Sequence, residues 1–438
     1  MIWVRDLDAI HRCRTHARLL VNRAGVSNAC RVAVPTIDPS RVNTATGPSD
    51  STGRASPSWA AWNRKADRPY TLGAEEEVML LEPFRWSLAQ ASDSVLARVS
   101  GELAAHTSPE THAGVIELVT GIHPDAGGVL DELASLRSRL GRELTTMGLS
   151  TAAAGTHPLA VWGETQVSGA ARYRSVGNSM RVLAKREPTM ALHVHVGIPD
   201  PEDAVRVLNG LRRNLPVLLA LSANSPFWQG RDTGFASART LIFQAFPRSG
   251  LPRSFDGYAD YVDAIDLLVA SSAVPDASFL WWDVRLQPAL GTVEVRVMDA
   301  QSTLRHVGPL IALTQSLARL ELEGNPSAIT PGIEALAENR FLAARDGMAA
   351  RLINPATRGL IPVREILDGL LAECRPHAHA LGCLGALDRV QRLALANGAD
   401  RQRTFAARDG QLEHLVAHLA EQFRTTAPGT TRPRTHTS

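Results

Sequence analysis

Two hydrophobic periods run along this chain. Across 291–299, Val293, Val295 and Val297 alternate with Glu294 and Arg296, the period of two expected of a strand that buries one face. Similar patterning predicts strands over 70–81, 115–119 and 191–198, with 281–287 as a further strand leading into 291–299. Leu130, Leu133, Leu136 and Leu140 follow the helical period instead and predict a helix over 129–146. A second helix is expected over 201–223, with Asp203 in its first turn, where a carboxylate suits the dipole. Beyond Gly308 the pattern turns mainly helical, with helices expected over 333–352, 364–371, 384–396 and 411–424. Strands first and helices later imply an α+β fold rather than alternating βαβ units. No internal repeat is evident.

The polar positions of these strands are as ordered as the apolar ones. Alternation sets Glu75 and Glu77 on one face with Glu76 on the other, aligns His193 with His195, and aligns Glu294 with Arg296. Each pair has an ordinary explanation. Glu294 and Arg296 suit an exposed salt-bridge face, and Glu75 with Glu77 a solvated acidic edge strand. Two aligned imidazoles point further, to metal ligands or to phosphate and substrate donors. Glu117, hemmed in by Val115, Ile116, Leu118 and Val119, is hard to place in solvent, whereas Glu110 has a surface position as its default. Together the segments repeat one design, an apolar face behind a row of Glu, His and Arg. Such a sheet is a platform for a metal and a nucleotide.

Composition narrows this picture. The 438 residues allow one large domain or two, and 44% hydrophobic with 21% charged residues is ordinary for a soluble protein. A formal charge of +2 without a basic, aromatic-interleaved patch gives no support for a nucleic-acid partner. Lys65 and Lys185 are the only lysines, and neither stands in a Gly-Lys-Ser/Thr setting, so a P-loop NTPase is excluded. Arginine must do the work of the missing phosphate-binding lysine. Cys13, Cys30, Cys374 and Cys383 show no Cys-x-x-Cys spacing, which indicates neither a disulfide framework nor a zinc cluster and suits a reducing, cytoplasmic setting. No apolar run approaches the roughly 18 residues that span a bilayer, and the Arg-rich start lacks a secretory apolar core. Ser, Thr, Pro and Gly crowd residues 34–69, after a short basic helix expected over 10–22. The expected organisation is a disordered extension over 1–69, a catalytic domain over 70–425 that is helical from about 308, and a disordered tail over 426–438.

A series of motifs resembles one family, the YbdK-type carboxylate-amine ligases, also called glutamate-cysteine ligase type 2. They run in order through Thr71-Leu72-Gly73-x-Glu75-x-Glu77, Glu117-Leu118-Val119-Thr120, Gly155-Thr156-His157-Pro158 and Arg172-Tyr173 to His193-Val194-His195-Val196-Gly197. Leu221 to Pro226, Gly230-x-Asp232-Thr233-Gly234, Trp282-Asp283-x-Arg285 and Gly291 to Arg296 follow. The resemblance implies a glutamine synthetase-like antiparallel sheet forming a funnel-shaped site, flanked by helices. It implies ATP-dependent joining of a glutamate-like γ-carboxylate to an amine through an acyl phosphate, with ATP and Mg²⁺ bound. Glutamate and an amine such as cysteine are the implied substrates, a pair that family members often use weakly. By position, Glu75, Glu77, Glu117 and Glu294 resemble metal ligands, with His193 and Glu110 as additional ones. Arg296 resembles the clamp on the transferring phosphoryl, Arg172 a phosphate or substrate contact, and His195 a nucleotide or substrate contact, while Ser225 and Arg239 border that region.

Departures from the family pattern are the extension through Pro69, Arg285-Leu286-Gln287-Pro288 in place of Arg-Pro-Ser-Pro, and Asn224 where a small residue is commoner. Two other functions fit the same platform, a phosphotransferase of the guanidino-kinase type and a non-catalytic nucleotide or amino-acid sensor. Leu and Ala on the later helices leave room for a homodimer.

Overall fold

The alternating segments fold as their period demands. In the computed structural model, residues 56–63, 68–186, 188–326 and 329–425 are described. The expectations for 10–22, most of 34–69, Cys13, Cys30, Lys65 and the tail from 426 lie outside them. Strands β1 (Leu72–Leu81), β2 (Thr107–Pro109), β3 (Val115–Val119), β4 (Ser150–Ala152), β5 (Ala191–Gly197), β6 (Val284–Gln287) and β7 (Thr292–Asp299) make one seven-stranded sheet. Its order is β6-β7-β5-β1-β3-β2, and every pairing is antiparallel. β4 extends the row of β5 along the far half of β1, where Met79 lies opposite Ala152.

The valines of β5 and β7 face a core closed by the helices Pro201–Leu211, Leu215–Ser222 and Leu304–Glu323. Burial of each such side chain stabilises the fold by about 1.5–3 kcal/mol. β1 is central, not the edge strand that its acidic run suggested, because it pairs with β3 on one side and with β5 and β4 on the other. Glu76 therefore points into the core. There Arg137 of helix Ala126–Thr146 meets it with a bidentate pair of 2.8 and 2.7 Å and also donates to the Gln301 carbonyl at 2.8 Å. A buried carboxylate needs such a partner.

Three expected helices come out broken or cut short, and the one over 364–371 runs on as Val363–Ala380. The one over 201–223 is two, Pro201–Leu211 and Leu215–Ser222, because Pro216 has no N–H to give and its ring excludes the carbonyl four residues back. The one over 333–352 stops at Asp346, where Gly347 adopts φ +53, and residues 351–354 instead form a hairpin strand with Gly359–Pro362. The one over 384–396 is two short helices, Leu384–Leu387 and Val390–Leu395. Order also begins earlier than Tyr70. Residues 56–63 carry a turn of helix, Ser58–Ala60, and dock on the body: Trp59 Nε1 donates to Asp266, Trp62 Nε1 to the Ile198 carbonyl, and Asn63 Nδ2 to the Ala289 carbonyl. Among the described residues Cys374 and Cys383 are buried free thiols, and no helix is long and apolar enough to cross a membrane.

Candidate functional site

Register converts the sequence pattern into a surface. Across β1, β5, β7 and β6 the residues Gly73, His195, Glu294 and Arg285 are directly opposite one another in turn. One step along, Glu75 faces His193, and a further step brings Glu77 opposite Glu117 of β3. One face of the sheet thus holds four of the expected carboxylates and both imidazoles. A bulge on β7 between Val295 and Met298 shifts the alternation, so Glu294, Arg296 and Asp299 all serve this face. Gly73, without a side chain, leaves the place beside His195 open.

Glu75 joins the two halves of the row. Its Oε2 lies 2.9 Å from His193 Nδ1 and its Oε1 lies 3.1 Å from His195 Nε2. Burial works against its charge, but His195 and His193 outweigh it and hold the carboxyl well below its usual range. The same balance has the opposite result for His193: burial, helped by Arg296, pushes it down to about 4. His195 rises instead, since Glu75 and Glu294 overcome its burial. Its Nδ1 is also 3.0 Å from Thr292 Oγ1. Glu77 and Glu117, opposite one another, are raised by burial and by neighbouring carboxylates, Glu77 to about 8 in spite of Arg239 and Arg296. Ser108 donates to Glu117 at 2.7 Å and the Ala191 amide to Glu77 at 2.7 Å.

Glu294 is completely buried, yet it stays ionised because Arg285 and Arg296 offset the burial. Arg285 Nε donates to it at 2.7 Å and Gln287 Nε2 at 2.7 Å, while Arg296 Nη1 closes on its other oxygen. The sequence names Arg285 as a motif residue and Gln287 as part of a departing one, neither with a role. Their role was accessible from the turn at 288–291, which fixes a hairpin register with Arg285 opposite Glu294.

Over the row opens a cavity of about 270 Å³. Glu75, Glu77, Glu110, Glu117, His193, Arg172, Arg239 and Arg296 all line it. Glu110 directly follows the edge strand β2 and accepts from Thr111 Oγ1 at 2.9 Å. Arg172, on helix Ala171–Met180, donates to the Ser278 carbonyl at 3.1 Å and lies over the Phe279 ring. Phe243, Phe246 and Trp281 form an aromatic wall that sequence periodicity did not signal. Ser225 is not brought to the cavity. It is fully buried, with its Oγ donating to Asp299 at 2.7 Å and accepting from the Arg239 amide at 3.1 Å, so it sets the base of the helix that carries Arg239.

Two sets of donor atoms suit a cation, Glu75 with Glu117 and His193, and Glu75 with His195 and Glu294, each set gathered within 4.8 Å. His193 Nε2, buried and without a hydrogen-bond partner, is an observation of the kind a bound cation explains. Clustered carboxylates that burial alone would protonate are another. The donor chemistry fits a divalent metal.

A carboxylate and imidazole row with guanidinium groups on an antiparallel sheet suits an ATP-dependent ligase that forms a carbon–nitrogen bond, and the comparisons with known proteins assign the chain to that class. The model of the family described as "Glutamate-cysteine ligase family 2" matches residues 71–418, and the chain belongs to that family. A Rubrobacter xylanophilus protein named "Putative glutamate--cysteine ligase 2-1" is 39% identical over 365 residues, 82% of this chain and 96% of that protein. A Thermobifida fusca protein, "Putative glutamate--cysteine ligase 2", is 35% identical over 379 residues, 84% of this chain and 95% of the relative. Among solved structures, a glutamate–cysteine ligase of Francisella tularensis in complex with AMP shares the fold with a TM-score of 0.61, at 13% identity and over 82% of this chain and 90% of that one. The α+β, glutamine synthetase-like architecture and the carboxylate–amine ligase activity expected above therefore stand, with ATP and a divalent metal as the family's requirements.

Proposed function

We propose that this ligase activates the γ-carboxylate of a glutamate-like acid and that Mg²⁺ is its metal. The γ-carboxylate oxygen attacks the terminal phosphorus of ATP, ADP leaves, and an acyl phosphate results. The amine nitrogen then attacks the acyl carbon, phosphate leaves, and the amide forms with release of a proton. Glu75, Glu117 and His193 would hold one cation, and Glu75, Glu294 and His195 a second, with Glu77 and Glu110 beside them. When bound, the metal supplies neutralisation of the phosphate charge. Arg296 and Arg239 reach the same cavity and hold the oxygens of the transferring phosphoryl, while Arg172 at the opposite wall meets a second anionic group of the substrates. The carboxylates repel a naked substrate anion, so the two arginines keep the acid close to the phosphate.

The observation that carries the reading is that the guanidinium of Arg296 stands beside the carboxylate row and lines the same cavity as Glu75, Glu77 and Glu117, the pairing of cation and anion holders that phosphoryl transfer to a carboxylate needs. Hydroxylamine trapping tests it: with glutamate, ATP and Mg²⁺, hydroxylamine should give a hydroxamate and an equal amount of free phosphate. Phosphate released from ATP and Mg²⁺ without any hydroxamate, across a panel of acids, would overturn the acyl-phosphate route. A phosphorylated acceptor in place of free phosphate would indicate the kinase chemistry instead.

A further inference from the structure

The break between helices Pro201–Leu211 and Leu215–Ser222 opens on a second cavity of about 780 Å³, which shares no lining residue with the catalytic one. Four arginines line it. Three are matched by carboxylates: Arg206 with Asp203 at 2.8 Å, Arg213 with Glu321 at 2.5 Å and Arg253 with Asp260 at 2.5 Å. Arg212 is not. It is only 5% exposed, its Nε donates to the Pro252 carbonyl at 2.9 Å, and no carboxylate among the described residues pairs with it. Burial accordingly disfavours its charged form. A guanidinium offers five donors, and a buried one without an anion is costly enough to be uncommon in a structure built for stability alone.

A second feature converges on the same space. Gly332 and Ile333 line the cavity where helix Ile333–Asp346 begins, and no side chain caps that end. Glu334 in the first turn answers part of the helix dipole, and the first-turn amides of this 14-residue helix have no side-chain cap. Glu321, in the same wall, is held by Arg213, so its charge is answered within the protein. Attraction to the remaining guanidinium scales with ligand charge, which favours ligands that carry several charges.

We propose that this cavity is a second ligand site, which takes a small, multiply charged oxyanion with Arg212 as its buried anchor. Arg213 and Arg253 flank the ligand, and the helix N-terminus closes on it from the opposite side. Polyphosphates and polycarboxylates share the required chemistry, and two probes separate them: inorganic pyrophosphate and citrate, each titrated calorimetrically into the full chain. The Arg296→Gln protein, whose catalytic cavity is weakened for anions, should still bind at least one of the two saturably. In that background Arg212→Gln should weaken the binding about tenfold or more, and Arg253→Gln, at an exposed position harmless to the fold, severalfold. Should Arg212→Gln fail to fold, Arg253→Gln decides. Absence of saturable binding of both probes to Arg296→Gln protein, or affinities untouched by Arg253→Gln and by folded Arg212→Gln, overturns the site.

Discussion

Glu294 sits between two guanidinium groups with no contact to solvent, so its charge is the structural partner of both. Glu294→Gln removes one anion and leaves two buried cations, a change that costs about 3–5 kcal/mol in comparable buried pairs. Thermal melts should show the loss, and phosphate release should fall about a hundredfold or more; a fully active variant would sink the role assigned to this residue. Glu77 makes a pH prediction. A carboxyl raised to about 8 still holds its proton at neutral pH, and a divalent cation must displace it. Cation affinity should therefore rise with pH by up to about tenfold per unit until pH 8, and calorimetry on Glu77→Gln should find that slope flattened. At this scale the sequence was most informative where alternation alone decides a face, as for Glu75, Glu77, His193 and Glu294. It was less direct on Arg285, whose importance depends on the register that the 288–291 turn sets, and on Ser225, which a motif named and packing placed beneath the cavity.

Elements carry a different part of the story. The motif Gly155-Thr156-His157-Pro158 contributes no lining to the catalytic cavity, and its histidine is structural. The ring of His157 is buried, Nε2 donates to the Trp86 carbonyl at 2.8 Å, and Nδ1 accepts from the amides of Leu159 and Ala160. That pattern requires the neutral ring, and burial lowers its pKa from 6.5 to about 4. Because the folded value lies below the unfolded one, the contribution to stability is complete above pH 6.5 and is lost as pH falls through 6.5 towards 4. Urea unfolding of wild type and His157→Gln across this window should show the wild type losing its advantage over the variant, by about 1–3 kcal/mol. Helix boundaries were less legible than strands. Pro216 broke an apolar run that reads as continuous, and Gly347 ended another, because local backbone chemistry overrides periodicity at single residues.

The whole molecule extends beyond its family's span. Matching begins at 71, yet Trp59, Trp62 and Asn63 reach across to helix Tyr258–Ala270 and to the β6–β7 turn, with Trp62 edge-on to Tyr258 at 5.6 Å. Composition concealed this, since two tryptophans in a Ser- and Pro-rich stretch read as linker. Removing residues 1–63 should lower the melting temperature by about 2–8 °C and leave the carboxylate row intact, which calorimetry and phosphate release together would measure. The turn that the arm clasps belongs to the two strands bearing Arg285 and Glu294. At its end Gly291 has φ +67, and a Cβ there would stand 2.0 Å from the Asn63 carbonyl oxygen. Asparagine tolerates that dihedral but not that neighbour. The arm and this glycine are thus coupled: Gly291→Asn should harm the full chain and be nearly harmless once residues 1–63 are removed, a difference that melting temperatures of the four proteins would measure.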